Sequence, residues 1–399
     1  MHILMIAPEP FFEPRGTPFS EFHRIRALTT LGHTVDLVTY PFGRDVELSG
    51  LRIFRCARPP FMHRIGIGPS WAKVPLDAAL AWTALRRAFG TKYDAVHSHE
   101  EGGVIGVLLA RWLGVPHLYD MHSSLPQQVA NFDYSSGGWL ARVLGWFERL
   151  MIRRSKAVIV ICPDLELTVR QIDGAVPVVL IENAPGSGSA PEQGSGAAVR
   201  RSLGLAEHTP VLLYTGTFEA YQGLDLLFQA FALVVERRPD VRLVLVGGEP
   251  AQVEVARRRV AALGLDDRIL FTGQRPAEEV PAYLDAATLL ASPRSTGTNT
   301  PLKIYQYLRS GRPIVATRLR THTQVLSEET AFLAEPTPQG FANAVLEALA
   351  DPDRAARVGA EARALANRKY TDEAFIAKTE RAMAFLSADG GPAVPEGTS

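Results

Sequence analysis

Residues 291–316, Ala-Ser-Pro-Arg-Ser-Thr-Gly-Thr-Asn-Thr-Pro-Leu-Lys-Ile-Tyr-Gln-Tyr-Leu-Arg-Ser-Gly-Arg-Pro-Ile-Val-Ala, carry the groups best suited to holding an anion. A buried strand ends at Ser292, and a Gly-containing loop follows. Thr298, Asn299 or Thr300 is expected as helix N-cap, with Pro301 in the first turn. Gly311 ends the helix, and a new strand starts at Pro313. Lys303 then falls in the first helical turn, where a cation opposes the macrodipole. An anion there, held by free backbone N–H groups and the ammonium together, would make sense of it, and a diphosphate is the obvious candidate. The alternative is a solvated lysine, at a cost of about a few tenths of a kcal/mol.

His122 follows a buried strand and so stands at a carboxyl edge, where ligands bind; the other reading is a histidine hydrogen-bonded at a strand end. His97 and His99 share one strand face and could reach one metal. Nothing else completes an obvious site, so the expectation is no metal and a structural or acceptor-side role. Residues 139–156 read as an amphipathic basic helix. Trp139, Val143, Trp146 and Leu150 alternate with Arg142, Arg149, Arg153 and Arg154 in a pattern that permits contact with an anionic membrane. Covering the protein's own sheet is the alternative.

The elements that must position these groups alternate along the chain. Apolar runs of strand length occur at 3–7, 35–40, 51–56, 95–98, 117–119, 157–162 and 178–181. Helical spacing such as Phe22, Ile25, Leu28 and Leu31 lies between them. Continuous apolar strands imply sheets covered on both faces, hence parallel βα units. A Gly/Ser/Pro stretch at 185–198 has linker composition. A second series of strands follows near 211–215, 241–246, 269–272, 288–292, 313–317 and 331–334, and 338–386 reads as helical. At 399 residues two domains are expected. They are an N-terminal domain over 1–184, a linker over 185–199, a C-terminal domain over 200–368, a C-terminal helix over 369–387 returning to the first domain, and a disordered tail over 388–399. No G-x-G-x-x-G follows a strand and no P-loop is present, which lowers a dehydrogenase or NTPase reading.

Formal net charge is zero, against nucleic acid as the main partner. Cys56 and Cys162 are far apart, so a disulfide scaffold or zinc cluster is not expected and a reducing compartment fits. The N-terminus lacks a basic region before its short apolar run, and the apolar stretch from Val104 to Leu118 is interrupted. Neither a signal peptide nor a spanning helix is expected.

The 291–316 segment resembles the donor-binding stretch of family 4 glycosyltransferases, the retaining enzymes of the GT-B fold. Further matches run in order along most of the chain. Arg15-Gly-Thr-Pro18 lies at the Gly-rich first loop, and Leu31-Gly-His33, Asp94-Ala-Val-His97 and Tyr119-Asp-Met-His122 also fit. In the second half Val211-Leu-Leu-Tyr-Thr-Gly216, Val241-Arg-Leu-Val-Leu-Val-Gly-Gly248 and Ile269-Leu-Phe-Thr-Gly273 match successive strands. The family's two glutamates, seven residues apart, fall by register on Thr298 and Gln306. Its usual arginine and lysine places hold Thr217-Phe218 and Gln222, with Lys303, Arg294 or Arg275 as replacements.

The resemblance implies two Rossmann-like, doubly wound parallel-sheet domains facing a central cleft, and a glycosyltransferase moving a hexosyl-type sugar from a nucleotide-sugar with retention. Gly16 and Thr17 would face the diphosphate or sugar; Gly216 and Thr217 would let backbone amides approach the phosphates. Gly297, Thr298, Asn299 and Thr300 would supply the loop and helix N-terminal donors. Gln306 would replace the ribose-binding glutamate, Arg275 would meet the base, and His122 would lie at the reacting carbon with Lys303 neutralising the leaving group. No cofactor beyond the nucleotide-sugar co-substrate is implied, and no metal. A sugar, glycan or lipid acceptor in cell-envelope polysaccharide synthesis fits, in the cytoplasm or peripherally at the inner membrane face. A non-catalytic nucleotide-sugar-binding scaffold and an epimerase on the same fold are the alternatives.

Overall fold

The computed structural model describes residues 1–12, 16–60, 62, 73–126, 139–183 and 194–387. The chain divides into two units, Met1–Asn183 with Glu373–Ser399, and Ala184–Asp372.

The first unit is built on a parallel sheet of β1 (His2–Ala7), β2 (Thr34–Thr39), β3 (Leu51–Arg55), β4 (Ala95–His99), β5 (His117–Met121), β6 (Ala157–Val160) and β7 (Val178–Leu180). Their order is β3-β2-β1-β4-β5-β6-β7. Ile3 to Ala7 are wholly buried because helices cover both faces, which is why the run is continuously apolar. Register is set on both flanks of β1, with Ile3 opposite Val35 on one side and Ala95 on the other. The crossovers are α1 (Gly16–Thr30), α2 (Lys73–Gly90), α3 (Gly102–Leu113), α4 (Trp139–Arg154) and α5 (Pro163–Ile172). Gly106 lets α3 lie close on the sheet. A Cβ there would come within 2.5 Å of His117 Nε2 and 2.7 Å of Ser98 Oγ.

The second unit repeats the plan with β8 (Val211–Thr215), β9 (Arg242–Val246), β10 (Ile269–Gly273), β11 (Leu289–Ser292), β12 (Ile314–Thr317) and β13 (Phe332–Ala334). The order is β10-β9-β8-β11-β12-β13, again all parallel. Its helices are α6 (Gly196–Ser202), α7 (Leu224–Arg237), α8 (Pro250–Ala262), α9 (Val280–Ala286), α10 (Leu302–Ser310), α11 (Arg320–Thr323), α12 (Pro338–Ala350) and α13 (Pro352–Lys369). The last helix, α14 (Asp372–Ser387), packs Phe375, Ala382, Met383 and Leu386 into the first unit's core with Ile3, Met5 and Ile25. Lys378 on it forms an ion pair with Glu182.

The linker expected over 185–199 is corrected at its far end. Asp285 accepts hydrogen bonds from the N–H groups of Gly194 (3.1 Å) and Gly196 (2.8 Å), seating α6 on α9. A Cβ on Gly196 would fall 2.4 Å from the Ala286 nitrogen, so a linker-like residue is there for close packing. Residues 185–193 and the expected tail at 388–399 lie outside the described residues.

Each sheet has one topological switch point, between β1 and β4 in the first unit and between β8 and β11 in the second. The crevice outside the carboxyl ends of such a strand pair is where open α/β sheets bind ligands. Both sites below stand there.

Candidate functional site

In the second unit, glycines let three strand ends close on one another. Gly216 follows β8 at φ 138°, and its N–H donates to Val246 O at 2.9 Å. Gly247 (φ 125°) presses on it, since a Cβ there would sit 2.0 Å from Gly216 O. Thr217 O accepts from Tyr214 OH at 2.7 Å, and Thr217 Oγ1 from Gln222 Nε2 at 3.4 Å. Gln222 Oε1 is buried without a partner among the described residues.

The loop after β11 joins this one. A Cβ on Gly223 would fall 2.0 Å from Pro293 O, and Ser295 N–H donates to Tyr221 O at 3.1 Å. Arg294 folds back into its own loop, donating to Thr296 O (2.9 Å) and Asn299 O (3.0 Å) with its guanidinium over Tyr221. Gly297 (φ 109°) makes room for that guanidinium. Thr298 O accepts from Gln324 Nε2 at 2.8 Å and Asn299 O from Thr321 Oγ1 at 2.5 Å.

The expected N-cap is corrected. Pro301 itself takes the cap position with extended dihedrals (φ −62°, ψ 134°), and α10 starts at Leu302 without a side-chain cap. Thr298, Asn299 and Thr300 belong to the loop, and Thr300 Oγ1 is buried without a partner among the described residues. Proline fixes its own φ and offers no N–H or side-chain acceptor, so the first-turn donors are left for something else.

Lys303 is in that turn and only 8% exposed. Its Nζ has no hydrogen-bond partner among the described residues, lies 3.7 Å above the Tyr214 ring, and is 3.3 Å from where a Gly216 Cβ would be. Burial, with the Arg294 charge adding to it, holds the amine well below the usual lysine range. Tyr307, one turn on, explains how the helix is held. Its hydroxyl accepts from Thr215 N–H at 2.9 Å and donates to Ala291 O at 3.4 Å, pinning α10 across the β8 and β11 ends. Gln306 is half-buried and makes no hydrogen bond among the described residues. His322, which sequence reasoning missed, is wholly buried between Ser292 Oγ (2.8 Å) and Thr317 O (2.9 Å), and burial pushes it down to about 3. Arg275 is not brought to this cluster. It follows edge strand β10, two strands from β8, and faces Glu279 at 4.0 Å.

In the first unit, Gly16 and Thr17 open α1, while Arg15 lies outside the described residues. The next turns of α1 bring Glu21 and Arg24 inward beside Ile25 and Leu28, all buried. Arg24 Nε donates to Asp120 Oδ2 at 2.9 Å, and Nη1 to Thr379 Oγ1 on α14 at 3.1 Å. Asp120 Oδ1 faces His122 Nε2 at 3.3 Å, and that nitrogen is 3.2 Å from His99 Nδ1. His97 stacks on His99 with ring centres 4.8 Å apart. Burial alone would raise Asp120 and lower His122. Arg24 and His122 instead hold Asp120 well below the carboxylate range, and Asp120, Glu100 and Glu9 lift His122 above its ordinary value.

Three more acids surround the pair. Glu9 and Glu21 lie against each other, and no described donor reaches either Glu21 carboxyl oxygen. Burial, then the neighbouring carboxyl, raises Glu9 well above the usual range; burial pushes Glu21 up to about 8. Two buried carboxyls in contact cannot both stay ionised, so they share protons at neutral pH. Glu100 takes a left-handed φ of 47°, unusual for a non-glycine, and Ser123 Oγ donates to its carboxylate at 2.9 Å. Burial raises it to about 7.

Asp120 supplies the third group that His97 and His99 lacked in sequence, all three within 4.8 Å. A guanidinium already bonds to Asp120 Oδ2, so an ion held by these three would share that oxygen with Arg24. The cluster's acids were visible only indirectly: Glu21 and Arg24 share the helical spacing of a buried face, and Asp120 lies in a buried strand.

Comparison with known proteins agrees with both halves. Residues 23–184 match the model described as "Glycosyl transferase 4-like domain" and residues 209–351 that described as "Glycosyl transferases group 1". The chain is 25% identical over 391 residues to the alpha-D-kanosaminyltransferase of Streptomyces kanamyceticus, covering 93% of this chain and 96% of that one. Among solved structures, sucrose-phosphate synthase from Thermosynechococcus elongatus superposes with a TM-score of 0.78 at 23% identity, over 96% and 98% of the two chains. Anabaena HepE in complex with UDP-glucose gives 0.73 at 18%, over 97% and 100%. At these identities the structures speak for the fold alone, which is GT-B. With one family model on each Rossmann-like unit and a relative matched nearly end to end, the chain belongs to the group 1 glycosyltransferases, of the family-4-like kind.

Proposed function

We propose that this glycosyltransferase uses a nucleoside-diphosphate sugar whose diphosphate lies against Gly216, Thr217 and the first turn of α10, and transfers the sugar with retention. The observation that carries this is Lys303: a buried amine with no hydrogen-bond partner among the described residues, beside an uncapped helix start. Burying a charge without a partner is costly, so the site suits a state in which an anion is bound. Gly216 lets the backbone approach phosphate oxygens, and Lys303 and Arg294 supply positive charge, so that no metal is needed. That Anabaena HepE is complexed with UDP-glucose supports a donor of this class.

In the proposed reaction the bond from the sugar's anomeric carbon to the diphosphate oxygen breaks. The acceptor oxygen bonds to the same face, and its proton passes to the departing phosphate. Catalysis is then mainly positioning and stabilisation of the leaving diphosphate. Calorimetry with UDP, GDP and ADP on wild type and Lys303→Met tests the reading. The substitution is expected to weaken the preferred nucleotide by about 1–3 kcal/mol. Equal affinity, or no binding of any nucleotide by wild type, rejects the site.

The acceptor is a sugar, glycan or lipid, met at the inner face of the membrane, as in assembly of envelope polysaccharide. Residues 139–156 support peripheral contact there, since Trp139 and Trp146 are each more than half exposed on α4. The inner side of α4 is otherwise occupied, with Glu148 accepting from Leu125 N–H at 2.8 Å. Trp82, Phe89 and Trp112 extend the exposed aromatic surface over α2 and α3, and Phe89 meets Trp112 edge-on at 4.6 Å. Exposed positions of the three helices include Arg86, Arg111, Arg142, Arg149 and Arg153 and no acid among the described residues. Aromatic and arginine side chains without acids fit an anionic interface. No helix of the described residues is long and apolar enough to cross a membrane. Flotation on anionic vesicles should fall in an Arg153→Glu/Arg154→Glu variant; unchanged flotation removes this contact.

A further inference from the structure

The Arg24–Asp120 pair is more than sheet-edge packing requires. Both side chains are buried, and apolar residues of similar volume would fill that space without the desolvation penalty of two charges. The pair also has direction. Asp120 gives Oδ2 to Arg24 and turns Oδ1 to His122, while Arg24 Nη1 donates to Thr379 and the guanidinium lies over the Phe375 ring. Strand β5, helix α1 and helix α14 therefore converge on one imidazole. The His97, His99 and His122 rings form a ladder with centres 4.8 and 5.4 Å apart, which fixes the ring plane.

We propose that Asp120, clamped by Arg24, is a positioning residue that fixes the orientation and tautomer of the His122 ring, and that Thr379 is the outer end of the same relay. A carboxylate only accepts, and its charge lies 3.3 Å from Nε2 while His99 Nδ1 lies 3.2 Å from the same nitrogen, so the Asp120 charge favours hydrogen on Nε2 in either protonation state. Nδ1 then has its character set: bare acceptor in the neutral ring, donor in the charged one. Among the described residues the groups facing His122 are Glu9 beyond β1, His97, His99 and Glu100 at β4, and Asp120 on β5, with Arg24 of α1 behind Asp120. Asp120 is the one that touches the ring nitrogen and is itself held ionised by a permanent cation. That His122 serves sugar transfer rests on the reading above; that its ring is held by this relay does not.

The test uses the full chain as wild type, Asp120→Asn, Arg24→Gln/Asp120→Asn and Thr379→Val. The double variant leaves no stray buried charge. Histidine ¹⁵N NMR needs no substrate and reads the ring directly. In both Asp120 variants the His122 titration midpoint is expected to drop by about one pH unit or more, with loss of the single tautomer. In transfer assays kcat is expected to fall on the order of tenfold, its His122-governed limb moving to lower pH, while the donor KM stays put. Thr379→Val should move the same signals in the same direction by less. A folded double variant with unmoved His122 signals and pH profile overturns the relay. If neither Asp120 variant folds, unchanged His122 signals in Thr379→Val overturn it. Ring signals that move in a chain lacking transferase activity would sustain the relay and reject the transfer reading instead.

Discussion

The two strand-edge sites treat charge in opposite ways. At the β1–β4 edge the charged Arg24 is set against Asp120, and the buried carboxyls Glu9 and Glu21 lie against each other and share protons. At the β8–β11 edge Lys303 stands near a second basic group, Arg294, with no acid beside it among the described residues. The same fold plan thus yields one edge that is electrostatically complete and one that lacks an anion. A complete edge orients neutral groups such as hydroxyls; an incomplete one captures charge.

Deleting one charge at each edge should therefore change stability with opposite sign. Asp120→Asn strands Arg24 in the core and is expected to destabilise the ligand-free protein by about 3–5 kcal/mol in urea unfolding, most of which Arg24→Gln/Asp120→Asn recovers. A single variant as stable as wild type would mean that the pair is solvated and the edge not self-contained. Lys303→Met removes a charge with no local counter-charge and keeps the stem's volume. It is expected to raise ligand-free stability by about 1 kcal/mol while reducing the nucleotide-induced rise in Tm at a given nucleotide concentration. A clear loss of stability would show that Lys303 has a structural partner and would erase the contrast.

How much of this the sequence disclosed follows from range. Strand positions were legible because each is a continuous apolar run, as in Ile3–Ala7, and parallel pairing demands such runs. The β11–α10 segment was legible because Gly297, Pro301 and Gly311 punctuate it locally. The cap was placed a little early because Thr and Asn are the usual cap residues, whereas Pro301 already had the dihedrals needed. Arg24 and Asp120 are 96 positions apart, and Arg24 and Thr379 are separated by 355. No local pattern links partners at such distances. The missing acids at Thr298 and Gln306 could be read from sequence, but the uncompensated state of Lys303 could not, because it depends on what surrounds the amine in three dimensions.

The acid pair gives the finest test of the comparison. Glu21 has an ordinary value of 4.5 and is pushed up to about 8 by burial, so between those pH values the folded chain keeps a proton that the unfolded chain has lost. Stability from this group is fully present below about 4.5 and is lost as pH rises through 8. The buried His117 and His322, both driven down to about 3, act in the other direction, adding stability as pH rises toward 6.5. Above about pH 6.5 the contribution of His117 and His322 is flat, and that of His122, lifted above its ordinary value, is common to wild type and a Glu21 variant, so the carboxyl contribution is what separates them. Urea unfolding at about pH 6.5 and 8.5 should show wild type losing on the order of 1–2 kcal/mol relative to Glu21→Gln, whose amide cannot ionise and can donate to Glu9. If the two proteins decline in parallel, Glu9 and Glu21 are already ionised in the native state. The first unit's edge would then carry uncompensated charge of its own, and the contrast with the Lys303 edge would shrink to a difference of sign.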